Sequence, residues 1–432
     1  MAAFDYAVKY AVTATCVSPL RTGGTDGDVE MILLGSDGRP MVQGSSIAGV
    51  LRSWVQKNQP VRAAEKLFGA SRSGKLGDRT SLVTVSDGVF VDDTVSQLRP
   101  RLPMNHKTAV AQNAKVSDTA ERQGGLFHMR SIAAGSKFRF NLLLQTKGRD
   151  KDAEQLLEEA LSALHSQLIG IGGQSANGFG LVKLSVKCRS FNLTQTADRM
   201  AWLEDAEPTE PVKLKKLRSE TITFTVTGST SGVLVHSGQR EKRGDKNSVA
   251  TVIRDAQGSI LPGSSLKGVI RGRAEMIANY LNRPEIVTKL FGTQGSAGLV
   301  RIRECRLKGE KRRVITRTRI NRFTGGVMEK KLFSEEPVSG KVCIRAEAFT
   351  RDASALGLLF YAMRDLAMGL YSIGSEGSIG RGCIRDGKLK VEDEKQRCTL
   401  SFTDNVTVCE GDADDADFVN TWLRSLEGGG QK

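Results

Sequence analysis

Two short motifs place small polar residues where an anion could be held. Gly44-Ser45-Ser46, in PMVQGSSIAGVLR, recurs as Gly263-Ser264-Ser265, in SILPGSSLKGVIR. Each stands just before a helical apolar pattern, and a helix start offers unpaired amides and the positive end of a dipole. The serines fall where N-caps are expected, with hydroxyls able to accept the first amide hydrogens. Arg52 follows the first copy, while Lys267 and Arg271 follow the second, where the first has Ala48 in place of lysine. Glycine loops add a second anion-binding device. Gly172, Gly173 and Gly178 lie in GIGGQSANGFG, and Gly374, Gly377 and Arg381 lie in SIGSEGSIGRG. Glycine lets backbone amides approach a phosphate closely, and neither loop has the spacing of a mononucleotide or dinucleotide motif. Carboxylates complete the set. Asp26 and Asp28 follow TGGT, and Asp245 follows Arg243-Gly244. Such acids could orient a divalent metal or take a proton from a ribose 2′-hydroxyl attacking its own phosphate. Aligned on the Gly-Ser-Ser motifs, Asp26 pairs with Asp245 and Asp28 with Asn247. Each residue also has a plain role: an ordinary cap, a turn, a solvated loop aspartate.

The elements that must position these residues come in pairs. Ala7–Thr13 and Thr221–Val226 alternate at the period of a strand. After each Gly-Ser-Ser the period changes to helical: Ile47, Val50, Leu51, Trp54 and Val55 share one face, as do Leu266, Val269, Ile270 and Met276-Ile277. Leu67-Phe68-Gly69 and Leu290-Phe291-Gly292 follow in the same order. A second helix, over 153–168 in one half and 353–370 in the other, leads into each glycine loop. Ordered landmarks repeated twice mark a tandem duplication. The element order predicts an α+β fold, two ferredoxin-like sheets each with an inserted hairpin. Residues 1–200 form the first module, 201–219 a linker, 220–400 the second module, and 401–432 an acidic, partly flexible tail or weakly tethered last helix. The polar stretches 100–135 and 312–340 read as protruding hairpins or loops. Their bases carry His106 and Lys107 in one copy and Arg317, Arg319 and Arg322 in the other. Met104 or Met129, and Phe323 or Met328, are candidate tips.

The formal net charge is +15, and between Arg301 and Arg322 ten basic residues meet only Glu304 and Glu310. That balance predicts a polyanionic partner, and aromatic residues at 6% argue for backbone contacts over base stacking. No apolar run approaches the roughly 20 residues of a membrane helix. The seven cysteines are scattered without metal-finger spacing, so a reducing, cytoplasmic setting is expected, with no membrane partner and no preformed metal cage.

PGSSLKGVIR, the distal LFG, INRFTGGVMEKKLF and SIGRG together resemble the RAMP superfamily over about 5–190 and 220–395. More narrowly, they look like backbone subunits of type III CRISPR interference complexes, here as a fused double module similar to type III-D assemblies. The resemblance implies an RRM-like palm with a thumb hairpin, modules stacked along a guide RNA with other effector subunits at both ends, and guide contacts from the Gly-Ser-Ser helix and the glycine loop. It further implies that an aspartate upstream of Gly-Ser-Ser cuts the paired target RNA with Mg2+ or Mn2+. Matched to the family, Asp28 lies closest to that position, with Asp26 two residues away. A guide-holding scaffold without scission is the rival expectation. A guide-processing ribonuclease would need a histidine at the glycine loop, and neither GIGGQSANGFG nor SIGSEGSIGRG contains one.

Overall fold

The computed structural model describes residues 4–23, 31–69, 80–91, 95–102, 104–105, 110–111, 127–217, 221–243, 247–255, 257–293, 295–403, 406–410 and 417–428. Two compact units emerge: Met1–Leu98, His128–Ser175 and Phe179–Ser219 in one, Arg99–Phe127, Ala176–Gly178 and Glu220–Lys432 in the other.

The first unit is built on strands β1 (Tyr6–Cys16), β2 (Val83–Val85), β3 (Lys137–Thr146) and β4 (Val182–Asn192), with helices α1 (Gly44–Asn58), α2 (Val61–Phe68), α3 (Lys151–His165) and α4 (Thr196–Leu203). β1 lies between β4 and β3, antiparallel to both, and β2 pairs with β3. That is the ferredoxin-like order. Its cause is visible along β1: Val8, Tyr10, Val12 and Ala14 are buried while the intervening Lys9, Ala11, Thr13 and Thr15 are not. The buried set packs with Phe138, Phe140, Leu184 and the helix residues Ile47, Leu51, Val55, Leu157 and Leu161. Each fully buried aliphatic side chain contributes about 2 kcal/mol. Asp150 caps α3, accepting from Ala153 N at 3.0 Å.

The second unit repeats the plan with β5 (Ile222–Val233), β6 (Val300–Ile302), β7 (Ile315–Ile320), β8 (Val327–Glu335), β9 (Val338–Ala348), β10 (Ile384–Glu392), β11 (Arg397–Thr403) and β12 (Val406–Glu410). Its helices are α5 (Gly263–Tyr280), α6 (Glu285–Phe291), α7 (Ala353–Ala367) and α8 (Asp417–Gly428). The sheet order β6-β9-β5-β10-β11-β12 is the same ferredoxin-like core, extended by two strands. β7 and β8 form the inserted hairpin.

Several expectations shift. Residues 210–217 do not hang free: Glu210-Pro211 pairs with β4, and Val212 N donates to Val186 O at 2.9 Å. The last helix is docked, with Val419, Trp422 and Leu426 buried and Trp422 edge-on to Phe418 at 5.0 Å. Met276 is 61% exposed, because Ala274 and Ala278 take the core face of α5 instead. Met129, a candidate tip, is buried. Residues 404–405 and 411–416 of the acidic end lie outside the described residues.

Candidate nucleic-acid interface

The Gly-Ser-Ser motifs sit differently from the cap expectation. Helix α1 starts at Gly44 with Gln43 as N-cap, and α5 starts at Gly263 with Pro262 as N-cap, neither with a side-chain cap hydrogen bond. The serines therefore belong to the first turn. Ser45 and Ser46 are exposed, while Ser264 and Ser265 are half-buried. Glycine is dictated by close approach: a β-carbon at Gly44 would stand 2.4 Å from Val85 O, and one at Gly263 only 2.5 Å from Ile302 O. Each helix start is thus pressed against a strand-end carbonyl, and at Gly263 the β-carbon would also meet Asn177 O of the first glycine loop at 2.3 Å.

The two starts differ in charge. In the first copy Asp87 Oδ1 accepts from Gly44 N at 2.7 Å, so a carboxylate already occupies one amide. In the second, burial and the neighbouring Arg271 charge push the Lys267 ammonium below the ordinary lysine value. A cation held under that stress is one a bound anion would relieve. Arg271 is engaged within the fold. Its guanidinium donates to Glu275 at 2.8 Å and to Gly292 O at 3.3 Å, tying α5 to the Leu-Phe-Gly turn. Arg52 is half-buried on α1.

The glycine loops are the same object twice. Ile171 N donates to Gly180 O at 2.9 Å, and Ile373 N to Gly382 O at 3.0 Å. Each loop is pinned to the end of the central strand or the chain leaving it: Gly173 N to Arg21 O and Gly180 N to Pro19 O in one, Ser375 N to Leu234 O and Gly382 N to Ser231 O in the other. Gly172 and Gly374 take positive φ where a β-carbon would meet Arg21 O at 2.1 Å and Leu234 O at 2.6 Å. At Gly377 a β-carbon would strike Ser372 Oγ. Gly178 also has positive φ, at 78°. Gln174 and Glu376, at matching places, are both left-handed.

The basic block does not form one surface. Arg301 and Arg303 both bind Glu347 at 2.6 Å, Arg306 binds Asp255 at 2.5 Å, and Arg312 binds Glu310. Arg317 reaches Glu335 at 2.5 Å and also Glu376, while Arg381 binds the same two glutamates. Arg317 and Arg381 are therefore brought together as a network joining the β7–β8 hairpin to the glycine loop. Apart from Glu310, the acids that consume this charge come from elsewhere in the chain, so the local sequence could not disclose them. Arg319 and Arg322 remain exposed on the hairpin, beside Phe323 at 100% exposure on its turn. Asn321 closes that turn, its Oδ1 accepting from Phe323 N at 2.9 Å.

Asp26, Asp28, Asp245, His106 and Lys107 lie outside the described residues. Among the described residues no group of three or more His, Cys, Asp or Glu side chains is gathered to hold a metal, and no helix is long and apolar enough to cross a membrane.

Known proteins are similar to this chain in sequence. Over 129 residues the chain is 26% identical to the CRISPR system Cmr endoribonuclease Cmr4 of Pyrococcus furiosus, covering 29% of this chain and 39% of that relative. Over 187 residues it is 26% identical to the CRISPR system Cms endoribonuclease Csm3 of Methanocaldococcus jannaschii, covering 38% and 69%. A solved type III-B Cmr-beta complex bound to cognate target RNA includes a chain 19% identical, aligned over 44% of this chain and 62% of its own with a TM-score of 0.33. The sequence pattern of the RAMP superfamily matches residues 13–183 and again 219–385, so the chain belongs to the RAMP superfamily and carries its module twice.

Proposed function

We propose that this chain is a double backbone subunit of a type III CRISPR RNA-guided complex, holding guide RNA and cutting the paired target RNA. The observation that carries the reading is the repeated pairing of a glycine-forced helix start with a glycine loop braced by the same backbone bonds, in a family whose similar members include proteins named CRISPR endoribonucleases. Backbone amides at these places suit phosphates and discriminate no bases, as a guide-independent backbone subunit requires. Lys267 adds a cation in the second copy, and Asp87 weakens the first. The chain's partners on this reading are guide RNA, target RNA and neighbouring effector subunits.

Scission falls to Asp26, Asp28 and Asp245. Their hard carboxylate oxygens are suitable ligands for Mg2+ or Mn2+, which would stabilise charge on the scissile phosphate. A loop carboxylate can also accept the proton as the 2′-oxygen bonds to phosphorus and the 5′-oxygen leaves. Asn247 stands opposite Asp28 in the duplicated alignment, which favours a second reading in which one half only holds RNA.

The test uses the assembled complex and a labelled target RNA complementary to its guide, with magnesium or with EDTA, resolved on a sequencing gel. Asp26→Ala with Asp28→Ala is expected to remove one set of cuts, and Asp245→Ala another, each by at least about a hundredfold with RNA binding intact. An unchanged ladder in both variants would make the chain a scaffold.

A further inference from the structure

The open faces of the two sheets carry a pattern that the loops and helix starts do not use. In the first unit the residues of β1 that avoid the core are flanked on both neighbouring strands. Thr15 lies between Lys137 and Lys183, and Thr13 between Arg139 and Ser185. Lys137, Arg139 and Lys183 are exposed, and Lys187 extends the same edge beside Ala11. The second unit repeats this in three successive rows. Ser229 lies between Lys341 and Arg385, Thr227 between Cys343 and Lys388, and Thr225 between Arg345 and Lys390. Lys341, Arg345, Arg385 and Lys388 are exposed. Glu347 and Glu392, both opposite Thr223, close the basic stretch at one end.

The result is a central track of hydroxyls between two rails of cations. The rails lie about 10 Å apart, two strand spacings, and successive side chains on a rail are about 7 Å apart. Exposed charges about 10 Å apart are largely screened from one another by salt, and although Arg345 and Lys390 also pair with Glu347 and Glu392, a polyanion lying between the rails meets both. Hydroxyls donate as well as accept, so the track can bond to phosphate oxygens. None of these rows contains an aromatic residue, so a base has nothing to stack on.

We infer that the open face of each sheet is a second RNA track, binding the backbone of a single-stranded RNA segment without sequence preference. The inference rests on the RNA-handling reading above but uses different residues.

Fluorescence anisotropy of the full chain with labelled oligouridine, titrated from low to moderate salt, tests it. The face variants are Lys137→Gln/Arg139→Gln/Lys183→Gln and Lys341→Gln/Arg345→Gln/Arg385→Gln. Each is expected to lose about tenfold in affinity and to flatten the plot of log affinity against log salt by about 2, near 0.7 for each phosphate contact removed. Lys57→Gln/Lys151→Gln/Arg424→Gln, equal in charge and placed on helices α1, α3 and α8, is expected to retain the wild-type slope, and Lys267→Gln reports on the helix start independently. Face variants matching the wild type while Lys267→Gln weakens would overturn this inference and leave the proposed function standing. A wild-type chain that binds no oligouridine would overturn both. Unchanged RNA affinity with weakened binding to polyglutamate would assign the face to an acidic protein instead.

Discussion

Gly382 illustrates how a single atom fixes the glycine loop. Its φ is 74°, and a β-carbon would lie 2.0 Å from Ile373 O, the residue whose amide closes the loop. Gly380 has a similar φ of 78° with nothing within 4 Å. The two positions separate conformational strain from collision. Gly380→Ala is expected to cost about 1 kcal/mol, the left-handed penalty alone. Gly382→Ala adds a backbone clash and is expected to cost about 3 kcal/mol. Thermal unfolding of the two variants checks this, and equal losses would contradict it. The glycines were legible in the sequence as a loop, but which of them collide was not, because Ile373 O approaches only once the loop is closed. The serines show the opposite case. Their motif was plain, yet their place within the first helical turn depends on Gln43 and Pro262 taking the N-cap positions.

At the scale of elements, the hairpin is anchored by a network whose members lie far apart in the chain. Burial alone would raise the Glu335 pKa, but hydrogen bonds and charge from Arg317 and Arg381 outweigh it and hold the carboxylate below its ordinary value. A lowered folded value means that this contribution is full above the ordinary glutamate pKa of about 4.3 and is lost as pH falls through the lowered value. Acidification from neutrality to below about pH 4 should therefore lower Tm more steeply in the wild type than in Glu335→Gln. Equal slopes would remove Glu335 from the anchor. At neutral pH, Arg317→Ala is expected to cost about 2 kcal/mol, below the range for fully buried pairs because the network is partly exposed. Arg319→Ala on the exposed edge should leave stability near that of the wild type. Sequence reading grouped these arginines by proximity. The pairing of β7 with β8 shifts register between Thr318 and Ile320, and there Arg317 reaches Glu335 and Glu376 while Arg319 stays in solvent.

The molecule as a whole is a duplication whose halves kept their architecture and changed their charge. The first strand, the Gly-Ser-Ser helix, the Leu-Phe-Gly turn and the glycine loop recur in order, and the sheets share one topology. Fold class was readable from that repetition, since period-two strands and amphipathic helices follow directly from core burial. Charge was readable only in sum, because ion pairs such as Arg306–Asp255 and Arg301–Glu347 absorb it across the fold. The first copy lacks a lysine after Gly-Ser-Ser and offers Asp87 to its helix start, whereas the second has Lys267. On the proposed function both halves hold RNA backbone in the same way, the second more tightly. The most direct measurement is ultraviolet crosslinking of the assembled complex to its guide RNA, with crosslinked peptides mapped by mass spectrometry. Crosslinks at 44–52 and 170–180 as well as at 263–271 and 372–382, stronger in the second pair, are the predicted result. Crosslinks confined to one half, or absent from both glycine loops, would contradict it.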